Sequence, residues 1–269
     1  MAKEEKVGVT TKFKPFVDIR FLRVRIQGTD TLIVHSWSEK AITEILGKQM
    51  KVPKGAKGER DPEMDFEAGK YYDVNGREAF PVTAVKNSMI TAVSSVGEMK
   101  KTNMRQAFFV WGIEDKERAT ILLTSGEPAV GTMRADMVRL GGPGNAADIR
   151  FRPEYPDWMT DIIIEYNALV VSKDQIVNLL NMAGYGVGIF EWRPEKDGYY
   201  GRYFVTEAED ITERPQWVKA TSYLRKGEMD IQTILRALRD KKAVSGTEVV
   251  NKNKKGKKVV EETEDDLEA

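Results

Sequence analysis

Residues 184 to 203 carry the residue types best suited to chemistry: Gly184-Tyr185-Gly186-Val187-Gly188, then Trp192-Arg193-Pro194 and Tyr199-Tyr200-Gly201-Arg202-Tyr203. Glycines at alternate positions leave a backbone open to close approach, and their amides can hold a phosphate or a neighbouring chain. Rings interleaved with guanidiniums suit single-stranded nucleic acid, because rings stack on bases while arginines take phosphates. This reading makes Gly184, Gly186, Gly188, Trp192, Arg193, Tyr199, Tyr200 and Arg202 candidate contacts, with both arginines expected on the surface. The plainer alternative is a helix end at Gly184, a tight turn and rings packed in a core. The predicted order, helix–glycines–strand, opposes the strand–glycines–helix order of a dinucleotide fold. The pattern Gly-x-x-x-x-Gly-Lys-[Ser/Thr] occurs nowhere.

Further basic candidates lie at element edges. Arg23 and Arg25 share one face of the first strand, Lys86 sits on a helix, and Arg150 and Arg152 share a face in a middle hairpin. Each alone reads as solvated surface, whereas together they could line a groove. His35 has a pKa range suited to general base work, but no residue pattern supplies it with a partner base or an oxyanion site. Paired metal-ligand spacings are absent, so neither a metal nor another cofactor is expected.

Composition narrows the classes. Among 269 residues, 42 Lys+Arg balance 42 Asp+Glu, which excludes a uniformly basic DNA coater but leaves room for a local basic face. There is no cysteine and one histidine. Disulfides, thiol catalysis and Cys-based metal sites are thereby excluded, and a reducing compartment fits. No apolar run approaches the roughly 20 residues of a membrane span, and residues 1–14 lack a secretory pattern. A cytoplasmic protein without membrane contact is expected.

These residues need elements to position them, and the pattern predicts an α+β fold. Residues 1–15 read as a flexible arm. Leu22, Val24 and Ile26 alternate with Phe21, Arg23 and Arg25 in a strand over 16–27. Ser36 to Glu39 has capping-box spacing before an apolar stripe of Ala41, Ile42, Ile45 and Leu46. A long loop is predicted over 51–69, a hairpin about Asn75-Gly76, and a helix over 82–96. Strands over 133–140 and 147–152 flank Gly141 to Gly144, and a buried strand spans 158–171. Ser172 to Gln175 is a second capping box, and its helix is expected to stop at Gly184. Strands up to Trp192 and over 199–205 follow, then a helix over 229–238. The lysine-rich, then acidic, residues 243–269 read as a disordered tail, whose acids could compete with nucleic acid or recruit a protein partner.

The predicted order of strand, helix, strands, helix, glycine-rich segment and strand resembles the RRM-like domain of the repeat-associated mysterious proteins. That superfamily comprises CRISPR effector backbone subunits and RNA-processing nucleases. Gly184 to Gly188 corresponds to its glycine-rich loop, and Phe80 to Lys86 is similar to its first-helix entry with a lysine. The resemblance implies an RRM/ferredoxin-like core, an antiparallel sheet with two helices and inserted hairpins and loops, over 16–242. It also implies single-strand binding along a groove and head-to-tail assembly. The superfamily's nuclease residues do not map onto this chain. Leu32–Glu39, Ala135–Leu140, Ile164–Ala168 and Gly184–Phe204 are similar to an uncharacterised phage-encoded family. The expected function is non-catalytic binding of single-stranded DNA or RNA by a homo-oligomer in phage nucleic-acid metabolism. The rivals are a metal-independent endoribonuclease using His35, and an assembly or host-interaction protein whose glycine loop docks a subunit.

Overall fold

A computed structural model describes residues 17–37, 39–53, 59–96, 100–139, 147–217, 226 and 230–243. The expected arm over 1–15, the Gly141–Gly144 loop and all but the first residue of the expected tail lie outside them. The chain forms two compact units. Among the described residues, one draws on 17–32, 80–129 and 156–217, and the other on 33–79, 130–155 and 226–243.

The first unit is built on a four-stranded antiparallel sheet of β1 (Ile19–Gly28), β5 (Phe108–Gly112), β9 (Met159–Asn167) and β10 (Tyr203–Ile211). Its spatial order is β10-β1-β9-β5. Helices α3 (Thr83–Val96) and α4 (Lys101–Ala107) lie between β1 and β5 in sequence, and α5 (Lys173–Gly186) lies between β9 and β10. Counting only these sheet strands, the order is 4-1-3-2 with helices after the first and third, which is the ferredoxin-like arrangement. The alternation expected of β1 sets its register. Leu22, Val24 and Ile26 are fully buried, as are Ile162 and Ile164 of β9, whereas Arg23 and Arg25 point to the other face. Each buried aliphatic side chain contributes about 1.5–3 kcal/mol relative to exposure. Val85 and Met89 of α3 and Ile176 and Leu180 of α5 are fully buried in the same core. Short β6 (Arg118–Thr120) runs beside the start of β9, where the Thr160 hydroxyl donates to the Thr120 carbonyl at 2.7 Å.

Ser172 caps α5 as the sequence predicts: its hydroxyl accepts from the Gln175 amide, and the Gln175 side chain accepts from the Ser172 amide. The helix continues through Gly186 rather than stopping at Gly184. The segment that follows is also not the predicted strand to Trp192. It is a string of turns with one 3-10 turn, Pro194–Lys196, and the last strand starts at Tyr203 rather than 199.

In the second unit, β3 (Tyr71–Tyr72) and β4 (Glu78–Pro81) form the predicted hairpin, with Gly76 at φ +76° in its turn. A second hairpin pairs β7 (Thr132–Arg139) with β8 (Ala147–Tyr155), and β2 (Leu32–Ile33) borders β8 on its other side. Seven of the 19 residues of the predicted 51–69 loop form helix α2 (Pro62–Ala68). The Asp61 carboxylate accepts from the Glu63 and Met64 amides, and Pro62 occupies the first turn, where its missing N–H costs nothing. Helix α1 (Glu39–Gln49) starts later than the Ser36 capping box predicts, and its expected stripe is only partly covered, with Ile45 exposed. Residues 231–243 form helix α6, whose Ile234 and Leu238 are buried. No helix among the described residues is long and apolar enough to cross a membrane.

Candidate nucleic-acid interface

The predicted aromatic–arginine segment forms a loop over 187–202 between α5 and β10. It displays rings: Tyr185, at the end of α5, is 77% exposed, Tyr199 63% and Trp192 43%, and Tyr199 lies against Tyr200 with centroids 4.7 Å apart. Phe190 and Trp192 hold positive φ values of 63° and 53°. Such values cost bulky residues about 1–3 kcal/mol each and persist only where neighbours impose them. Here neighbours do. Phe190 packs edge-on against Phe80 at 5.5 Å, and its carbonyl accepts from the Arg193 guanidinium at 2.9 Å. The Trp192 carbonyl accepts from the Tyr200 amide at 3.0 Å. The Ile189 amide donates to Gly201, and the Gly201 amide to Thr31, both at 2.9 Å.

The glycines divide by role. Gly184 is buried inside α5, where a side chain would overlap the Tyr203 carbonyl, so it serves helix–strand contact and not the helix end. Gly188, at φ +70°, makes the turn that leaves the helix. Gly186 has nothing within 4 Å of where a side chain would start.

Arg193 and Arg202, expected on the surface, are about one-third exposed and paired. Arg193 grips Glu195 through two nitrogens at 2.8 and 3.0 Å, and Arg202 reaches Asp30 at 2.7 Å. Arg23 and Arg25 meet on the open face of the sheet, as their alternation predicts, and both converge on Asp161 at 2.7 and 2.8 Å. Arg25 also reaches Glu207 at 3.1 Å, and Glu209 completes the lining of this shallow cleft. Burial alone would raise the Asp161 carboxyl, but hydrogen bonds from Arg25 and Arg23 outweigh it and hold the group below the usual carboxylate range. With two arginines facing three carboxylates, the cleft is slightly acidic rather than basic.

Lys86 lies at the β5 edge of the sheet with its ammonium 4.1 Å above the Phe109 ring, and burial holds it below the usual lysine range. It marks a ring cluster that sequence reasoning missed. Phe109 and Trp111 lie nearly parallel with centroids 5.9 Å apart, and Trp217 adjoins Trp111 at 5.7 Å. Lys116 sits over both indoles. The alternation in Phe108-Phe109-Val110-Trp111 was a visible signal for two of these rings, but Trp217 lies far along the chain. Arg150 and Arg152 belong to the second unit. They share a hairpin face as expected, but Arg152 is buried and reaches Asp136 at 3.2 Å. His35 is half-buried in the same unit, and its carbonyl accepts from the Tyr71 hydroxyl at 3.4 Å.

The first unit therefore holds two ring clusters, the exposed rings of the 187–202 loop and the partly exposed ones at the β5 edge, and all four of its candidate arginines are already engaged by carboxylates. Such a surface can stack planar groups, while its pull on phosphate is weak.

No protein-family model matches the chain, and no curated protein matches it. Among solved structures, the chain is similar to the crystal structure of Cmr6 from Pyrococcus furiosus. The TM-score is 0.38 at 10% identity, over 71% of this chain and 100% of that one.

Proposed function

We propose that the first unit binds single-stranded nucleic acid without cleaving it, stacking bases on the rings of the 187–202 loop. The supporting observation is the display of Trp192 and Tyr199 on a loop whose unusual backbone is tied at several points, with Tyr185 exposed at the end of α5 beside it in sequence. A ring held in place loses little freedom when a base stacks on it, and every base offers a flat face, so binding tolerates sequence. Duplex DNA hides those faces. The sequence resemblances support a role for this activity in phage DNA or RNA metabolism in the cytoplasm.

Fluorescence anisotropy with a labelled oligonucleotide tests the reading. Trp192→Ala and Tyr199→Ala should each weaken single-strand binding by roughly tenfold or more, since a stacked base is worth about 1–3 kcal/mol. Their melting temperatures should barely move, because both rings are exposed. Salt should weaken binding only gently, because Arg193 and Arg202 are already paired. Equal affinity for duplex, or ring variants that bind like the parent, would overturn the proposal. The charge balance around the loop favours one second reading, a docking site for a protein. That reading predicts no nucleic-acid binding at any salt concentration.

A further inference from the structure

We propose that β7 is a self-complementary edge strand that pairs antiparallel with β7 of a second copy, forming a two-fold dimer with one continuous sheet. The inference is independent of what the rings bind. Among the described residues, β7 has β8 on one side and no strand on the other. Edge strands are usually guarded by proline, lysine or a bulge; β7 reads Thr-Met-Arg-Ala-Asp-Met-Val-Arg, with no proline, no lysine and a ladder to β8 that is regular from Thr132↔Glu154 to Arg139↔Ala147.

The pattern is symmetric about Ala135. With Ala135 facing Ala135 of the second copy, Met133 lies opposite Met137, Arg134 opposite Asp136 and Thr132 opposite Val138, and the two-fold axis repeats each pair. The methionines fall on one face of the hairpin together with Ile149 of β8, which pairs with Met137. That face is open: Met133 is 42% exposed, Met137 68% and Ile149 51%. Pairing the two edges joins two such faces into one apolar strip. On the opposite face Arg134 already meets Asp136 at 2.8 Å and Glu154 at 3.1 Å. The second copy adds an acid to each Arg134 and a base to each Asp136, so charges stay matched across the axis.

Charge also selects the register. A slip of one residue would put apolar side chains opposite charged ones. Slips of two keep the faces but place Asp136 on Asp136 in one direction and Arg134 on Arg134 in the other. Only the Ala135-centred register satisfies both faces. An eight-residue strand spans roughly 27 Å, a small contact beside the about 800 Å² per partner of a standard interface, so the dimer should form in a concentration-dependent way.

The test is mass by analytical ultracentrifugation over a concentration series. The parent protein should rise toward twice 30.4 kDa. Met133→Glu and Met137→Lys alter exposed side chains, so each should fold with an unchanged melt. Each places a charge opposite a methionine twice per dimer and should weaken self-association by roughly a hundredfold or more. Mixing the two variants in equal amounts should restore the dimer, because the carboxylate introduced into one chain then faces the ammonium introduced into the other. The double variant should dimerise on its own for the same reason. A parent protein that stays monomeric throughout, single variants that still dimerise, or a mixture that fails to recover the dimer would each overturn the proposal.

Discussion

The 187–202 loop and the β7–β8 hairpin both present side chains to solvent, and they are held in opposite ways. The loop has almost no regular structure, yet its irregular residues are tied individually: Phe190 by Phe80 and Arg193, Trp192 by Tyr200, Gly201 by Ile189 and Thr31. The hairpin is a regular ladder with one open edge and one open apolar face. At its base one oxygen of Glu78 accepts from the Gly131 amide at 2.7 Å and from the Tyr155 hydroxyl at 2.8 Å, and nearer its tip Asp148 accepts from Arg60 at 2.6 Å. Regular hydrogen bonding is therefore a poor guide to what is fixed. The loop suits a site that must offer rings in one arrangement, and the hairpin suits a surface completed by another chain.

The largest effect should come from the hairpin's base. The other oxygen of Glu78 lies 3.1 Å from the buried Lys70 ammonium. Glu78→Ala removes one of the two carboxylates that hold that ammonium and strips two further donors of their acceptor, so it should cost about 3–5 kcal/mol in urea denaturation. A loss below about 1 kcal/mol would mean that the hairpin is held elsewhere, and the contrast with the loop would fail.

The same anchor predicts a pH response. Burial raises the Tyr155 and Tyr72 phenols, aided by Glu78 and Glu67 respectively. Burial lowers Lys70, but its hydrogen bonds to Glu67 and Glu78 outweigh it and leave the group raised. A folded-state pKa above the unfolded one gives stability that is complete below the unfolded value and lost as pH rises past it. With unfolded tyrosine near about 10, stability should decline above about pH 10. Tyrosinate absorbance should appear together with loss of the hairpin's amide protection. Tyrosinate forming at these positions while protection persists would separate the anchor from the hairpin.

Next in size is the loop's root. Gly184→Ala would push a methyl group into the Tyr203 backbone, which cannot give way without parting α5 from β10. The cost should be about 3 kcal/mol by chemical denaturation. An unchanged midpoint would show that the helix–strand contact is looser than its geometry and would leave the loop less fixed than the hairpin.

Gly184 also illustrates what sequence can and cannot reveal. A glycine after an apolar helical stripe reads as a helix end, because the residue that actually requires it, Tyr203, is remote in the chain. The same holds for charge. Arg23 and Arg25 were legible as sharing one strand face, but their partner Asp161 comes from β9, and Asp30 lies 172 residues from Arg202. Local signals carried further: the β1 alternation, the Ser172 capping box and the Asn75-Gly76 turn all appear in the structure. The start of α2 was equally local, in Asp61-Pro62, and was obscured by the glycines and charges of the surrounding segment.

The smallest effect is the most discriminating for the loop. Gly186 occupies the last turn of α5, where glycine carries a helix penalty of up to about 1 kcal/mol relative to alanine, less near a helix end. Nothing lies within 4 Å of its missing side chain. Gly186→Ala should therefore raise stability by about 0.5 kcal/mol, visible as a melting temperature higher by roughly 1–2 °C. A loss of stability would mean an internal contact, as at Gly184, and would make the whole glycine series a matter of packing. With the expected gain in hand, single-strand affinity becomes informative. A methyl group here adds bulk only toward solvent, so it can weaken binding only by standing where the bound strand passes. Weaker binding in a more stable protein would extend the interface from Trp192 and Tyr199 to the end of α5, whereas unchanged binding would confine it to the rings.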